Sequence, residues 1–165
     1  MSLAFRIINP IVRLVLVSPL HALLSRNTLL LEFTGRRSGR RMTLPVSYHE
    51  PAPGTLHCFT ARDGVWWKNL SGGVPVRVRL RGAWVSADAE SVTAPQTVIA
   101  SHLDAFLRAV PRDASHSGVR LKPDGTPEAQ DVGAAAARHV LIQVRTGLPD
   151  SQRSQTSVQK RTGRA

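Results

Sequence analysis

Apolar and polar residues alternate along most of this chain, and the period changes in only one long stretch. The clearest alternation is VPVRVRLR at residues 74–81. It sends Val76, Val78 and Leu80 to one side and Arg77, Arg79 and Arg81 to the other, the pattern of a strand with one buried face. Residues 29–33 (LLLEF), 43–48 (TLPVSY), 55–60 (TLHCFT), 83–87 and 139–145 (HVLIQVR) read as further strands. The turn residues Pro51, Pro53 and Gly54 predict that 43–48 and 55–60 form a hairpin. Between Thr93 and Val110 the period becomes helical, with Ile99, Leu103, Phe106 and Val110 on one face. Thr93 and Gln96 have capping-box spacing, and Pro95 suits the first helical turn. A brief helical turn is expected at 65–70. Residues 111–133 read as polar and irregular with a turn at 122–125, and 134–138 as one helical turn before the last strand.

About six strands joined by short turns, with one inserted helix, predict a mainly β, small antiparallel barrel. Repeated strand–helix–strand units are missing, which argues against a doubly wound nucleotide fold. The dinucleotide and nucleoside-triphosphate glycine motifs are missing too. Residues 27–147 carry this pattern. Residues 1–26 are apolar but broken by Arg6, Pro10, Arg13, Pro19 and His21, so no run reaches the roughly 18 apolar residues a spanning helix needs. They predict a helix that packs on the barrel or rests on a membrane surface. Residues 148–165 shift to Ser, Gln, Thr and Arg and predict a disordered tail.

Charge changes the picture more than size does. The 165 residues hold 22 Lys+Arg against 11 Asp+Glu, a net charge of +11. Arginine dominates, since the only lysines are Lys68, Lys122 and Lys160. Such an excess suits an anionic partner: nucleic acid, membrane or small molecule. The single cysteine, Cys58, rules out an internal disulfide, and the expected compartment is the reducing cytoplasm.

Two stretches carry chemistry. The first is Thr34-Gly35-Arg36-Arg37-Ser38-Gly39-Arg40-Arg41, a turn between two strands. Glycine permits close backbone approach, amides and Ser38 can donate to an anion, and arginine forks suit phosphate or carboxylate. The same composition also fits a solvated basic turn. The second runs from Thr60, Ala61 and Arg62 to Trp66, Trp67 and Asn69. Indoles give flat apolar walls for a conjugated ring, although paired tryptophans more commonly serve a core.

These residues carry a resemblance. The series Leu29 to Gly39, then Pro45, Tyr48, Trp66-Trp67-x-Asn69-Leu70 and Val76–Val78 resembles the deazaflavin-dependent nitroreductase family, small split-barrel oxidoreductases that use coenzyme F420. The resemblance covers roughly residues 29–89. It implies an FMN-binding-like split β-barrel with an N-terminal helix and one inserted helix. By that resemblance Gly35, Arg36, Arg37, Ser38, Gly39 and Arg41 receive the phosphate and acidic tail of the coenzyme. Pro45 belongs to the same motif, Thr60, Ala61 and Arg62 lie along the ring system, Trp66 and Asn69 organise the short helix beside it, and Trp67 counts among the cofactor-binding residues. Tyr48 stands where relatives place a tyrosine near the substrate. Here Met42 occupies a position before the proline where relatives carry a basic residue. The implied reaction is hydride transfer to a small acceptor such as a quinone, nitroaromatic or enone, with FMN the alternative cofactor and a homodimer the implied assembly.

A cofactor of this kind brings its own hydride chemistry, and no catalytic side chain is expected. Ser38 has no partnering base in the motif. The six histidines (His21, His49, His57, His102, His116, His139) lack metal-ligand spacing. The competing reading is a non-enzymatic basic module on nucleic acid or an anionic membrane. Nucleic-acid binding calls for aromatics interleaved with the basic residues, and the arginines at 77–81 alternate with aliphatics instead.

Overall fold

The two outermost strands of the sheet are separated in sequence by one residue. In the computed structural model, which describes residues 27–147, β1 is Thr28–Thr34, β2 Arg41–Ser47, β3 His49–Ala52, β4 Thr55–Ala61, β5 Val74–Leu80, β6 Ala83–Val92 and β7 His139–Thr146. They form one antiparallel sheet in the order β2-β1-β5-β6-β7-β4-β3. Laid flat, six interstrand spacings would hold its edges roughly 29 Å apart. Two residues of extended chain from Ser47 to His49 span only about 7 Å. The sheet therefore curls until its edges meet, and the expected mainly β split barrel results. Pro45 confirms the edge position of β2, because a proline has no N–H to give a second neighbour.

The barrel interior follows the alternation. Leu29, Leu31 and Phe33 of β1, Val76 and Val78 of β5, Leu56 and Cys58 of β4, and Ile142 and Val144 of β7 all point inward and are buried. A second apolar layer lies outside β4 and β7. There α1 (Gln96–Ala109) brings Leu103, Phe106 and Leu107 against Phe59 of β4, and α3 (Ala129–Arg138) brings Val132 and Ala135. The rings of Phe59 and Phe106 are 5.2 Å apart. Between these helices runs a 3-10 turn, Pro111–Asp113, and one helical turn, α2 (Ala114–Ser117).

Several expectations need correcting. There are seven strands, because His49–Ala52 is extended despite Pro51. β4 therefore pairs with β3, while β2 pairs with β1, so the predicted hairpin of 43–48 with 55–60 does not form. Thr93 does not cap α1. Strand β6 runs to Val92, Pro95 takes the cap position, and Gln96 donates to the Gly133 carbonyl at 2.8 Å. The segment read as irregular contains the start of α3 at Ala129. The turn at 122–125 does form, with the Gly125 amide on the Lys122 carbonyl at 2.8 Å. The N-terminal helix and the C-terminal tail lie outside the described residues. No helix among the described residues is long and apolar enough to cross a membrane.

Candidate functional site

The glycine–arginine turn joins β1 to β2 and is braced from within. The Gly35 amide donates to the Arg40 carbonyl and the Gly39 amide to the Gly35 carbonyl, both at 2.8 Å, while the Arg40 amide donates to Ser38 Oγ at 3.3 Å. A β-carbon at Gly35 would lie 2.7 Å from Ser38 Oγ, and Gly39 holds φ +64°. Both glycines are therefore needed for this shape. Three of the amides expected to face an anion are thus consumed by the turn itself. What remains outward are the exposed guanidiniums of Arg36, Arg37 and Arg40, with no ion pair among the described residues. Arg41 faces Glu32 at 3.7 Å, a carboxylate it shares with Arg77.

The tryptophan stretch meets this turn in space. Residues Trp66–Leu70 form a 3-10 turn after β4. Asn69 Oδ1 accepts from the Arg36 amide at 3.0 Å, and Asn69 Nδ2 donates to the Trp66 carbonyl at 2.7 Å. One side chain so ties two stretches more than thirty residues apart. Trp66 Nε1 donates to Thr60 Oγ1 at 3.1 Å, and Trp67 Nε1 to the Arg62 carbonyl at 3.2 Å. Trp66 also packs on Phe33 with ring centres 6.0 Å apart, so its ring is partly a lid on the barrel core. Thr60, Ala61, Arg62, Trp66, Trp67, Asn69 and the residues of the turn all stand at one end of the barrel. Arg62 turns toward α3, donating to the carbonyls of Ala137 at 3.1 Å and His139 at 3.2 Å. Pro45 lies in mid-strand on β2, opposite Leu30.

Tyr48 is at the other end. Its amide donates to the Asn27 carbonyl, just before β1 begins. Seven residues of strand, roughly 23 Å, separate it from Arg41. It is 2% exposed, and burial raises its phenol pKa, with nearby Arg81 acting in the opposite sense. Arg81 pairs with Glu50 at that end, and the Gly54 amide and Arg81 together lower the Glu50 carboxyl.

Sequence spacing missed one buried group. His57 on β4 faces α1, where its ring meets His102 edge-on with centres 4.8 Å apart, and Gln143 Nε2 lies 3.3 Å from its Nε2. It is 5% exposed. Burial pushes its pKa down to about 4, with His102 and then His49 adding repulsion. The only hint in the sequence is a histidine at the outward position between Leu56 and Cys58. No cluster of three or more metal-binding side chains exists among the described residues. Cys58 is fully buried, and desolvation pushes its thiol up to about 12, so it is no nucleophile.

No family model matches the chain, and no curated protein matches it in sequence. Among solved structures it is similar to an FAD- and heme-binding protein from Mycobacterium smegmatis, at 13% identity and a TM-score of 0.47, over 79% of this chain and 67% of that one. A protein of unknown function from Agrobacterium tumefaciens gives 17% and 0.48 over 79% of this chain, which spans only 56% of the Agrobacterium protein. An F420-H2 dependent reductase gives 16% and 0.43, over 72% of this chain and 94% of that one. Likeness at this level bears on neither ligand nor reaction.

Proposed function

We propose that this barrel is an oxidoreductase that binds a flat, phosphate-bearing redox cofactor at the end formed by the two turns. Coenzyme F420 is the first choice and FMN the alternative. The observation that carries the reading is the bond from the Arg36 amide to Asn69. It sets three guanidiniums that form no ion pair among the described residues beside a wall containing two indoles, the donor set an anionic tail and an aromatic ring require. The sequence resemblance of residues 29–89 supports F420 in particular. When bound, the cofactor supplies the hydride chemistry. The chain's own part is to bind and orient. Arg36 and Arg37 hold the anionic end, Gly35 and Gly39 keep the turn in shape, and Trp66, Trp67 and Asn69 fix the wall beside the ring. A small acceptor such as a quinone, nitroaromatic or enone would then take the hydride. The alternating arginines of β5 give the nucleic-acid reading little support, because Arg77 is engaged by Glu32 and packs 5.1 Å from the centre of the Trp84 ring. The test is titration of the purified chain with F420 and with FMN, followed by fluorescence. Saturable binding of one of them is expected, and saturation by neither would refute the reading.

A further inference from the structure

Two cavities flank the helical turn α2 and share Ser115 and Gly118 in their walls. Both have the volume of small-molecule sites, about 730 and 660 Å³. Their electrostatics differ. In the larger one each arginine already has its carboxylate. Arg120 grips Asp131 through two bonds of 2.8 and 2.9 Å, and Arg112 lies 3.5 Å from Asp113 while donating to Thr28 Oγ1 at 2.7 Å. The smaller one is lined by Arg62 and Arg138 with His116, His139 and one acid, Asp63. Neither of these arginines forms an ion pair among the described residues.

Arg62 is nonetheless held in place. It spends two of its five N–H donors on the carbonyls of Ala137 and His139, and three are left. Arg138 ends the last turn of α3, and a β-carbon at Gly118 would stand 3.3 Å from its Nη2. Gly118, at φ +71°, is thus the residue that lets α2 end against this guanidinium without crowding it. Two fork-shaped cations near one cavity, one of them fixed by backbone carbonyls, match a planar or tetrahedral anion.

We propose that the groove between the end of β4, α2 and the start of β7 is a second binding site, for a small organic anion bearing a carboxylate or phosphate. It meets the cofactor reading only at Ala61 and Arg62, which the resemblance sets along the ring system, and goes beyond it in Arg138, His116 and His139; no residue of the glycine–arginine turn lines it. The site opens at the same barrel end as that turn, beside the residues that anchor the tryptophans.

The test is an amide-shift titration of the isotope-labelled full chain with benzoate and, separately, inorganic phosphate, at constant ionic strength. Saturable shifts at residues 115–118 and 137–139 are expected with at least one probe, and which probe acts identifies the anion class. Arg138→Gln should weaken that probe at least tenfold, with Arg138→Lys recovering part of the loss. Asp63→Asn removes the one opposing carboxylate and should tighten it severalfold, a gain that a damaged fold cannot produce. Shifts confined to residues 35–41 would overturn the proposal while leaving the cofactor turn intact. Groove shifts that Arg138→Gln leaves unchanged would overturn it as well, as would no saturable shift from either probe.

Discussion

The turn between β1 and β2 and the turn between β5 and β6 are both made of glycine and arginine, and they sit at opposite ends of the barrel. At the second, Arg81 adopts φ +48° and spends its charge on Glu50, beside the buried Tyr48. At the first, Arg36, Arg37 and Arg40 stand exposed with no carboxylate opposite them among the described residues, while the backbone beneath is fixed by its own hydrogen bonds. Composition is alike and the use of charge is not. Arginine marks a candidate site where the fold leaves it unanswered, and a structural clasp where an acid has been placed to meet it.

The largest expected effect lies away from the arginine turn, in the buried histidine between β4 and α1. A free histidine titrates near 6.5, and His57 is held at about 4. Because the folded value is the lower one, the unfolded chain takes up its proton first as the pH falls. Stability present at neutral pH is therefore lost progressively between about 6.5 and 4 and does not fall further through this group below that. At 1.36 kcal/mol per pH unit, the loss is on the order of 3 kcal/mol. Urea unfolding at a series of pH values reads it directly, and a flat profile across that window would show that His57 is not buried in neutral form.

Charge reversal separates the two turns next. Arg37→Glu should weaken cofactor binding roughly 10- to 100-fold, from the ~1.5–3 kcal/mol that a charged hydrogen bond contributes. Arg81→Glu, more than a Debye length away at physiological salt, should change it less than about twofold. Equal losses in a fluorescence titration would erase the distinction. Asn69→Ala removes the strut between the arginine turn and the tryptophan turn. It should cost about 1 kcal/mol of stability in this partly exposed setting and also loosen cofactor binding, measured by melting and by the same titration.

The smallest change is Arg81→Gly. It relieves a left-handed arginine, worth about 1–2 kcal/mol, and gives up an exposed ion pair worth about 0–1 kcal/mol. A shift in melting midpoint of no more than a few degrees is expected; a large loss would mean that the clasp to Glu50 is worth more than an exposed pair.

What could be read from the sequence was whatever has a local period. The β5 alternation, the α1 face at Ile99, Leu103 and Phe106, and the two turns of the candidate site all stand where the pattern puts them. Strand β3 was hidden because Pro51 and Pro53 read as turn residues, yet the sheet's edge tolerates a proline there. Helix α3 was hidden because alanines do its packing. Val132, Ala135 and Ala136 have helical spacing but offer little hydrophobic contrast with their neighbours. The contact of His57 with His102 joins residues 45 positions apart, and nothing local foretells it. Asn69 was legible as a motif residue, but its role as the tie between the two turns exists only in three dimensions.

The connection of the chain to this barrel has a practical consequence. Asn27 lies against Tyr48, and Thr146, just before Gly147, donates to the Gly54 carbonyl. The described region is therefore entered and left at the same end, the one remote from Arg36 and Arg37. A fusion partner, a surface tether or a fluorescent label attached through residues 27 or 147 would present the arginine turn to solution. Immobilised in that way, the protein should bind its cofactor with the affinity of the free chain.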